Sequence, residues 1–480
     1  MTSHRTPEDA MTSGRTPESL ARQSGTFWPL VRLALPVLAG HLLDMMVGFT
    51  DTWLTGNYLA TPQHLAAMNL VAYLLWLMVS LFSLVSIGTT ALVARFVGAE
   101  DWQLARHAAN QAMFLGALFC VLPLVLVAVI GRPLVGSLGL HDDAAALALR
   151  YLWLVLPAVP AIMLEQVGTA ALRGAGDTVT GMIAMIVTNA VDIFASFALV
   201  RGMGAIPALG WDGLAIGTTI GYYAGGLIIL GRLIRGRAGL KIERRLLRPD
   251  SSLARRLLRI SLPGGVDILS MIGCHLVFVR IVNALGNVPA AAHGIAIKIE
   301  SLSFMPGAAF QIAAATMVGQ LLGAGQSRRA THTIYVACAT TGAIMCTIGV
   351  ALFLAADWLG AQFVSAEQAA IGTQAAELVR IVCLSQPALA VLMVLTGAMR
   401  GAGDTRWPLA FTFVGFVVVR IPLGLALAWS DVALPWSGET IALFDLGIRG
   451  AWYAMVIDLY VRCGMAIGRF LHGGWKKIEV

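Results

Sequence analysis

Charge is what this sequence has least of. Of its 480 residues 12% are charged and 58% hydrophobic, and the mean hydropathy is +0.78. A soluble chain of that composition has too little polar surface to cover its core, which excludes a water-soluble globular fold. Cysteine is sparse as well. Six stand singly at 120, 274, 338, 346, 383 and 463, each inside an apolar stretch and without CxxC or metal-site spacing. They read as small buried hydrophobes and say nothing about redox compartment. HExxH and DDxxD are absent. Their absence argues against an intramembrane enzyme, such as a prenyl or acyl transferase.

Long apolar runs are what remains. Between polar breaks they fall at about 32–56, 65–96, 105–131, 148–171, 179–201, 212–234, 261–284, 289–322, 331–355, 376–398, 407–429 and 448–470. Each reaches the roughly 20 residues that cross a bilayer as a helix. The runs are continuous rather than alternating, which argues against a membrane β-barrel. An all-α membrane protein with twelve transmembrane helices is predicted.

Basic residues set the orientation. The stretch "GRLIRGRAGLKIERRLLRPDSSLARRLLR" (231–259) holds ten Lys and Arg. With twelve spans it shares one side with Arg95, Arg106, Arg173, Arg328, Arg329, Arg400, Arg406 and both tails. The opposite loops are nearly bare apart from Arg132 and Arg201. Lys and Arg mark the cytoplasmic side, so both termini are expected there, with the chain in a cell's inner membrane. The net charge of +7 then reflects topology and not nucleic-acid binding. Residues 1–26 are rich in Ser, Thr, Pro and charge and lack a signal peptide's apolar core, so an uncleaved, disordered tail is expected. A solvated basic linker is expected at 236–258 and a short tail at 476–480.

The phrase "ALRGAGDT" (171–178) returns as "AMRGAGDT" (398–405), an offset of 400 − 173 = 227. "RLALP" (32–36) and "RISLP" (259–263) share it, since 263 − 36 = 227, and so do Pro160 and Pro387. The chain is therefore two six-helix halves, at 27–235 and 259–475. Six is even, so both halves enter the bilayer from one side as parallel repeats, an arrangement found in transporters that rock about a central site. In the repeated joint, Gly174 and Gly176 allow a positive φ or a close backbone approach. Asp177 and Thr178 suit an N-cap, and Arg173 is expected to meet the carbonyls ending the preceding helix. A phosphate-cradling loop would need a Lys-Ser/Thr ending and a preceding strand, and both are missing.

This order of features resembles the multidrug and toxic compound extrusion (MATE) family. The likeness rests on the two "RGAGDT" joints, on "DTWLTGNYLATPQHLAA" from Asp51, and on "AAHGIAIKIESLSFMPGAAFQIAAATMVGQLLGAG" (291–325) in the eighth span. It runs from about Phe27 to Trp475. The resemblance implies a V-shaped pair of lobes and secondary antiport. The export of amphipathic, cationic organic compounds would be driven by protons or sodium ions without a cofactor. The partners expected are that small molecule and membrane lipids, for a monomer that binds no nucleic acid.

A charge at the bilayer centre costs about 2.5–3.5 kcal/mol, so ionisable residues within spans are the places to look for coupling. Asp51 lies near the outer end of the first span, with Asp44 two turns earlier. A carboxyl kept from water favours its neutral form and can load a proton on one side and release it on the other. The bland alternative is an aspartate that merely sits at the interface. Asn189, Asp192 and Ser196 share one face of the fifth helix by i, i+3 and i, i+4 spacing. The resemblance matches Asp51 to the family's acidic coupling position and adds Thr218, in "GLAIGT", to an oxygen-lined cluster. It also places the family's acid at Ser196 and its asparagine at Asp192, so the carboxylate is displaced here by one turn. With sodium as coupling ion, Asp51 and Asp192 would be the metal ligands.

Pro36 removes a backbone hydrogen bond fifteen residues before Asp51 and is the expected hinge. In the second half, Phe278 stands where the offset would place a second Asp51. Asp267, Lys298, Glu300 and Arg420 are the polar candidates there, with Asp458 as a partner for Arg420. Each reads equally well as a structural polar pair. The 19 methionines and 18 phenylalanines suit an adaptable apolar cavity. The rival function is a lipid-linked oligosaccharide flippase of the same superfamily, which would hold a diphosphate with Arg280, Lys298 and Arg420.

Overall fold

The computed structural model of the chain describes residues 19–59, 61–137, 142–203, 207–364, 366–433 and 440–478. Twelve helical spans follow one another. The first lobe holds α1 (Phe27–Leu59), α2 in two pieces (Pro62–Leu81 and Ser83–Gly98), α3 (Trp102–Pro133), α4 (Asp143–Gly174), α5 (Thr178–Arg201) and α6 (Trp211–Ile234). The second holds α7 (Ser251–Asn283), α8 (Asn287–Gly323), α9 (Ser327–Gln362), α10 (Ala369–Cys383 and Gln386–Ala402), α11 (Arg406–Ala428) and α12 (Gly447–His472). A small antiparallel hairpin, β1 (Asp431–Ala433) with β2 (Thr440–Ala442), joins the last two spans. Among the described residues ten of these helices are long and apolar enough to cross a membrane, or eleven with bent α10 counted as one, close to the twelve expected. α12, which carries Arg449, Asp458, Arg462 and Arg469, is among those that fall short.

Prolines repeat at the same structural places. α4 tightens to a 3₁₀ turn at Leu156–Ala158, just before Pro160, and α10 bends by 56° just before Pro387. Pro36 and Pro263 lie inside unbroken stretches of α1 and α7. These two helices cross between lobes. Leu30, Leu33, Ala34 and Val37 of α1 are buried in the second lobe's core beside Ala313 and Met317, while Leu54 belongs to the first lobe's core. Correspondingly, Leu253, Leu257 and Ile260 of α7 lie in the first lobe's core, and Phe278 and Val282 lie in the second's.

The lobes meet at the face where the described chain ends lie, the terminal face. A Cβ at Gly98 would overlap the backbone of Gln320, and one at Gly323 would overlap that of Arg95, so only glycine lets α2 and α8 approach so closely. Deeper in, the Gly88 amide donates to Ser261 Oγ (2.8 Å), which donates to Val85 O (2.9 Å). The ends of α2, α4 and α8 thus share one face, as parallel repeats require.

The two joints share a backbone and differ in side-chain chemistry. Gly176 and Gly403 take φ values of +89° and +86°. Gly174 and Gly401 are helical and lie against Thr90 O and the Ala315 backbone. Asp177 caps α5 as expected, accepting from Thr180 N (3.0 Å), whereas its counterpart Asp404 accepts from Arg469 Nε (2.9 Å) and α11 begins without a side-chain cap. Arg173 corrects the expectation: no hydrogen bond to a helix-ending carbonyl is made, and its charged neighbours are Asp44 and Glu165 inside the lobe.

Two segments expected to be solvated are tied down. Residues 251–258 of the expected linker are already helical. Residues 235–250 form a strap across α3, where buried Asn110 and Gln111 donate to Lys241 O (2.8 Å), Leu246 O (2.8 Å) and Arg248 O (2.6 Å). The Glu243 and Asp250 amides donate back to the same two side chains, each at 3.0 Å. Of the expected tail, residues 1–18 lie outside the described residues, while Leu20 and Ala21 are buried. The Leu20 amide donates to Gln320 Oε1 (3.0 Å), and Gln320 Nε2 donates to Gly174 O (2.9 Å). Arg329 donates to the carbonyls of Ala21, Gln23 and Gly25, and Arg22 pairs with Glu100 at 2.5 Å. The segment before α1 therefore staples one lobe to the other.

Candidate functional site

The polar face of α5 is built by spacing and exposed by glycine. Thr188, Asp192 and Ser196 recur every four residues, with Asn189 three before Asp192, and all four are buried. α6 answers with Gly217, Gly221 and Gly225 at four-residue intervals. A Cβ at Gly217 would overlap Ser196, one at Gly221 would come within 2.8 Å of Asp192 Cβ, and one at Gly225 would overlap Thr188. The two backbones close on one another, and the oxygens of α5 are directed into the lobe.

Two polar groups result. In the first, Ser196 Oγ donates to Asp192 Oδ1 (2.9 Å), and the Thr218 and Tyr151 hydroxyls share a hydrogen bond of 3.0 Å. Asp51, 7% exposed, faces Asp192, and its Oδ1 has no hydrogen-bond partner. A buried acceptor without a donor is uncommon. In the second, Asn189 Nδ2 donates to Asp44 Oδ1 (3.3 Å) and Thr188 Oγ1 donates to Glu165 Oε2 (3.1 Å), with Arg173 facing both acids. All five expected first-lobe residues, Asp51, Asn189, Asp192, Ser196 and Thr218, thus lie along one buried seam between α1, α5 and α6. Sequence reasoning missed Glu165, Thr188, Tyr151 and the inward turn of Arg173. The α6 glycine spacing was the available signal.

The second-lobe candidates are placed differently. Arg400 Nη2 donates to Asp267 Oδ2 (2.6 Å). Arg420 pairs with Asp458 (2.7 Å), as expected, and Arg462 joins the same carboxylate (2.8 Å). A π-helical turn, Val414–Arg420, ends in the first arginine of this triad, and both guanidiniums lie against the Phe416 ring, at 4.3 and 4.6 Å from its centroid. Lys298 is exposed and makes no ion pair with half-buried Glu300, whose charged neighbour is Arg420. An apolar cavity of about 370 Å³ lies beside α1 and α5, lined by Thr50, Trp53, Leu54, Ala190, Ile193, Phe194 and Phe197. It abuts the face of α1 next to Asp51.

The MatE family model matches residues 36–197 and 263–426, two copies that start at the prolines 227 residues apart. A probable multidrug resistance protein NorM of Thermotoga maritima is 29% identical over 453 residues, covering 94% of this chain and 93% of that protein. A multidrug resistance protein MdtK of Pectobacterium atrosepticum is 28% identical, covering 92% and 94%. Among solved structures, the outward-facing conformation of a multidrug resistance MATE family transporter superposes with a TM-score of 0.85 at 21% identity. It covers 97% of this chain and all of the other.

Proposed function

Because the chain belongs to the MatE family and sets an unpartnered carboxylate on a helix that crosses between its lobes, we propose that it is a cation-coupled multidrug exporter. Its substrates are amphipathic organic compounds, chiefly cations, exchanged for protons or sodium ions by alternating access. The observation that carries this reading is Asp51, buried with a free Oδ1 opposite Asp192. A proton on Asp51 removes a charge that is costly to hold in lipid. A sodium ion would instead use both carboxylates with the hydroxyls of Ser196 and Thr218 as oxygen ligands, a hard donor set suited to a hard cation. Loading either ion relaxes the repulsion between Asp51 and Asp192 and lets α1 settle against α5. Bending at Pro36 then narrows the space beside α1 that held substrate. Ion and substrate exclude one another, and antiport follows without direct contact between them.

The flippase reading would want free basic residues in the cavity, and Arg420 is already held by Asp458. The test is transport by reconstituted full-length protein in proteoliposomes, with a panel of fluorescent organic cations and imposed proton or sodium gradients in turn. Gradient-driven export is expected from the native chain and a loss of at least tenfold from Asp51→Asn, with the variant folded. Full export by that variant would remove Asp51 from the mechanism.

A further inference from the structure

At the terminal face the start of α9 borders a cavity of about 490 Å³, lined by Ser327, Arg328, Thr331, His332, Tyr335 and Lys476. The lining combines two cations, a histidine and three hydroxyls, with no acid. Elsewhere on this face Arg22 pairs with Glu100, Arg237 with Asp177 and Arg469 with Asp404, whereas this cavity gathers its cations around one space. Among the described residues Arg328, His332 and Lys476 make no ion pair. The first turn of the 36-residue α9 also has no side-chain cap, so its amides add to the field that favours an anion.

The cavity is continuous with a lipid-facing surface. Arg328, His332 and Tyr335 lie on one face of α9, and that face runs on at helical spacing through Ala339, Ala343, Val350 and Leu354, all exposed. Tyr335, 56% exposed, contacts Phe470 edge-on at 5.4 Å, a tyrosine placed where a membrane's polar and apolar layers meet. Lys476 Nζ lies 5.4 Å from the ring centroid of buried Trp475, which holds that cation beside the cavity. A free phosphate would use the basic end alone. A glycerophospholipid would use the basic end and the apolar run together.

We propose that this cavity binds the phosphate headgroup of an anionic phospholipid whose acyl chain lies along the exposed face of α9. Basic pockets at the cytoplasmic ends of membrane helices take such headgroups. The site stands apart from the transport seam, and its test needs no gradient, so either reading can fail without the other.

The experiment titrates full-length protein in detergent with phosphatidylglycerol, with phosphatidylcholine of the same chains, and with glycerol 3-phosphate. Binding is read by thermal midpoint and by lipid adducts in native mass spectrometry. Phosphatidylglycerol is expected to raise the midpoint and remain bound, phosphatidylcholine to do neither, and glycerol 3-phosphate to act only weakly. A basic group near a membrane surface contributes about fivefold in affinity, so R328Q/K476Q is expected to weaken phosphatidylglycerol binding about 30-fold. R244Q/R245Q, which neutralises two exposed arginines of the strap, is expected to leave it unchanged. Should R328Q/K476Q fail to fold, R328Q/H332Q carries the same expectation of a large loss. Equal binding of the two lipids, equal potency of glycerol 3-phosphate, or undiminished binding by the cavity variants would overturn the proposal.

Discussion

Asp458→Asn is the substitution whose cost can be worked most directly from the structure. Asp458 is fully buried and accepts from Arg420 Nε (2.9 Å), Arg462 Nε (2.8 Å) and Arg462 Nη2 (2.8 Å). The two arginines are 5% and 7% exposed. An amide of the same shape removes the charge to which both guanidiniums are bonded and turns one acceptor into a donor. Breaking a buried pair from one side costs about 3–5 kcal/mol, because the remaining charge is left uncompensated. Here two charges are left, although the Phe416 face meets part of their field. The expected loss is therefore at least about 3 kcal/mol, read as thermal or denaturant unfolding of purified protein in detergent.

The companion variant, R420M/D458L/R462M, removes all three charges together. Such replacements are often neutral or stabilising by about 1–4 kcal/mol, so this variant is expected to be near native in stability. If the triad only holds α11 to α12, it also keeps gradient-driven export. A cost below about 1 kcal/mol for Asp458→Asn, or equal destabilisation by the single and triple variants, would refute the reasoning.

Other outcomes follow from the same geometry. Gly221→Leu forces a side chain into Asp192 and should cost about 1–3 kcal/mol by overpacking and lower export. Gly231→Ala, with open space around its Cβ, should be neutral or gain up to about 1 kcal/mol in helix propensity. Equal stability of the two variants in a thermal melt would show that α5 and α6 are not in close contact. Asp192→Asn keeps the Ser196 hydrogen bond possible but removes the charge opposite Asp51, so the pH dependence of export should change while the fold persists, as measured in proteoliposomes. Arg329→Ala removes the donors to Ala21, Gln23 and Gly25. Amide exchange over residues 19–25 should rise at least tenfold, and unchanged exchange would mean that the staple is held by other bonds.

Much of this architecture could be read one residue at a time. Hydropathy gives the spans because a bilayer imposes a minimum apolar length, and the 227-residue offset locates Pro36 with Pro263 and Pro160 with Pro387 before any helix is placed. The face of α5 was equally legible, since i, i+4 spacing is fixed by helix geometry. Arg420 with Asp458 apart, what failed was decided by a distant neighbour. Arg173 and Arg400 stand in the same phrase, but one turns toward Asp44 and Glu165 and the other binds Asp267. Asn110 and Gln111 look like ordinary residues of an apolar helix until the strap brings its carbonyls to them. Leu20 sits in a polar tail whose composition predicts disorder, and contacts with Gln320, Arg329 and Glu100 hold that segment in place.

On the proposed mechanism, the swap of α1 and α7 between lobes accounts for duplication not giving two equal coupling sites. A helix with one end in each core must flex when the lobes rock, and it flexes where a backbone hydrogen bond is missing. Pro36 and Pro263 are the places proposed for it in the two copies. In α7, however, the positions around the proline are tied: Ser261 is bonded to α2 on one side, and Asp267, one turn beyond, is locked to Arg400. Bending α7 would break a buried ion pair. In α1 the corresponding turn has no such lock. The bond from Asn189 to Asp44 is long at 3.3 Å, and Asp51 keeps an oxygen free. On the proposed mechanism the bending copy is thus the one that leaves a buried carboxylate oxygen unpaired, while in the other copy the acid near the proline is paired with Arg400.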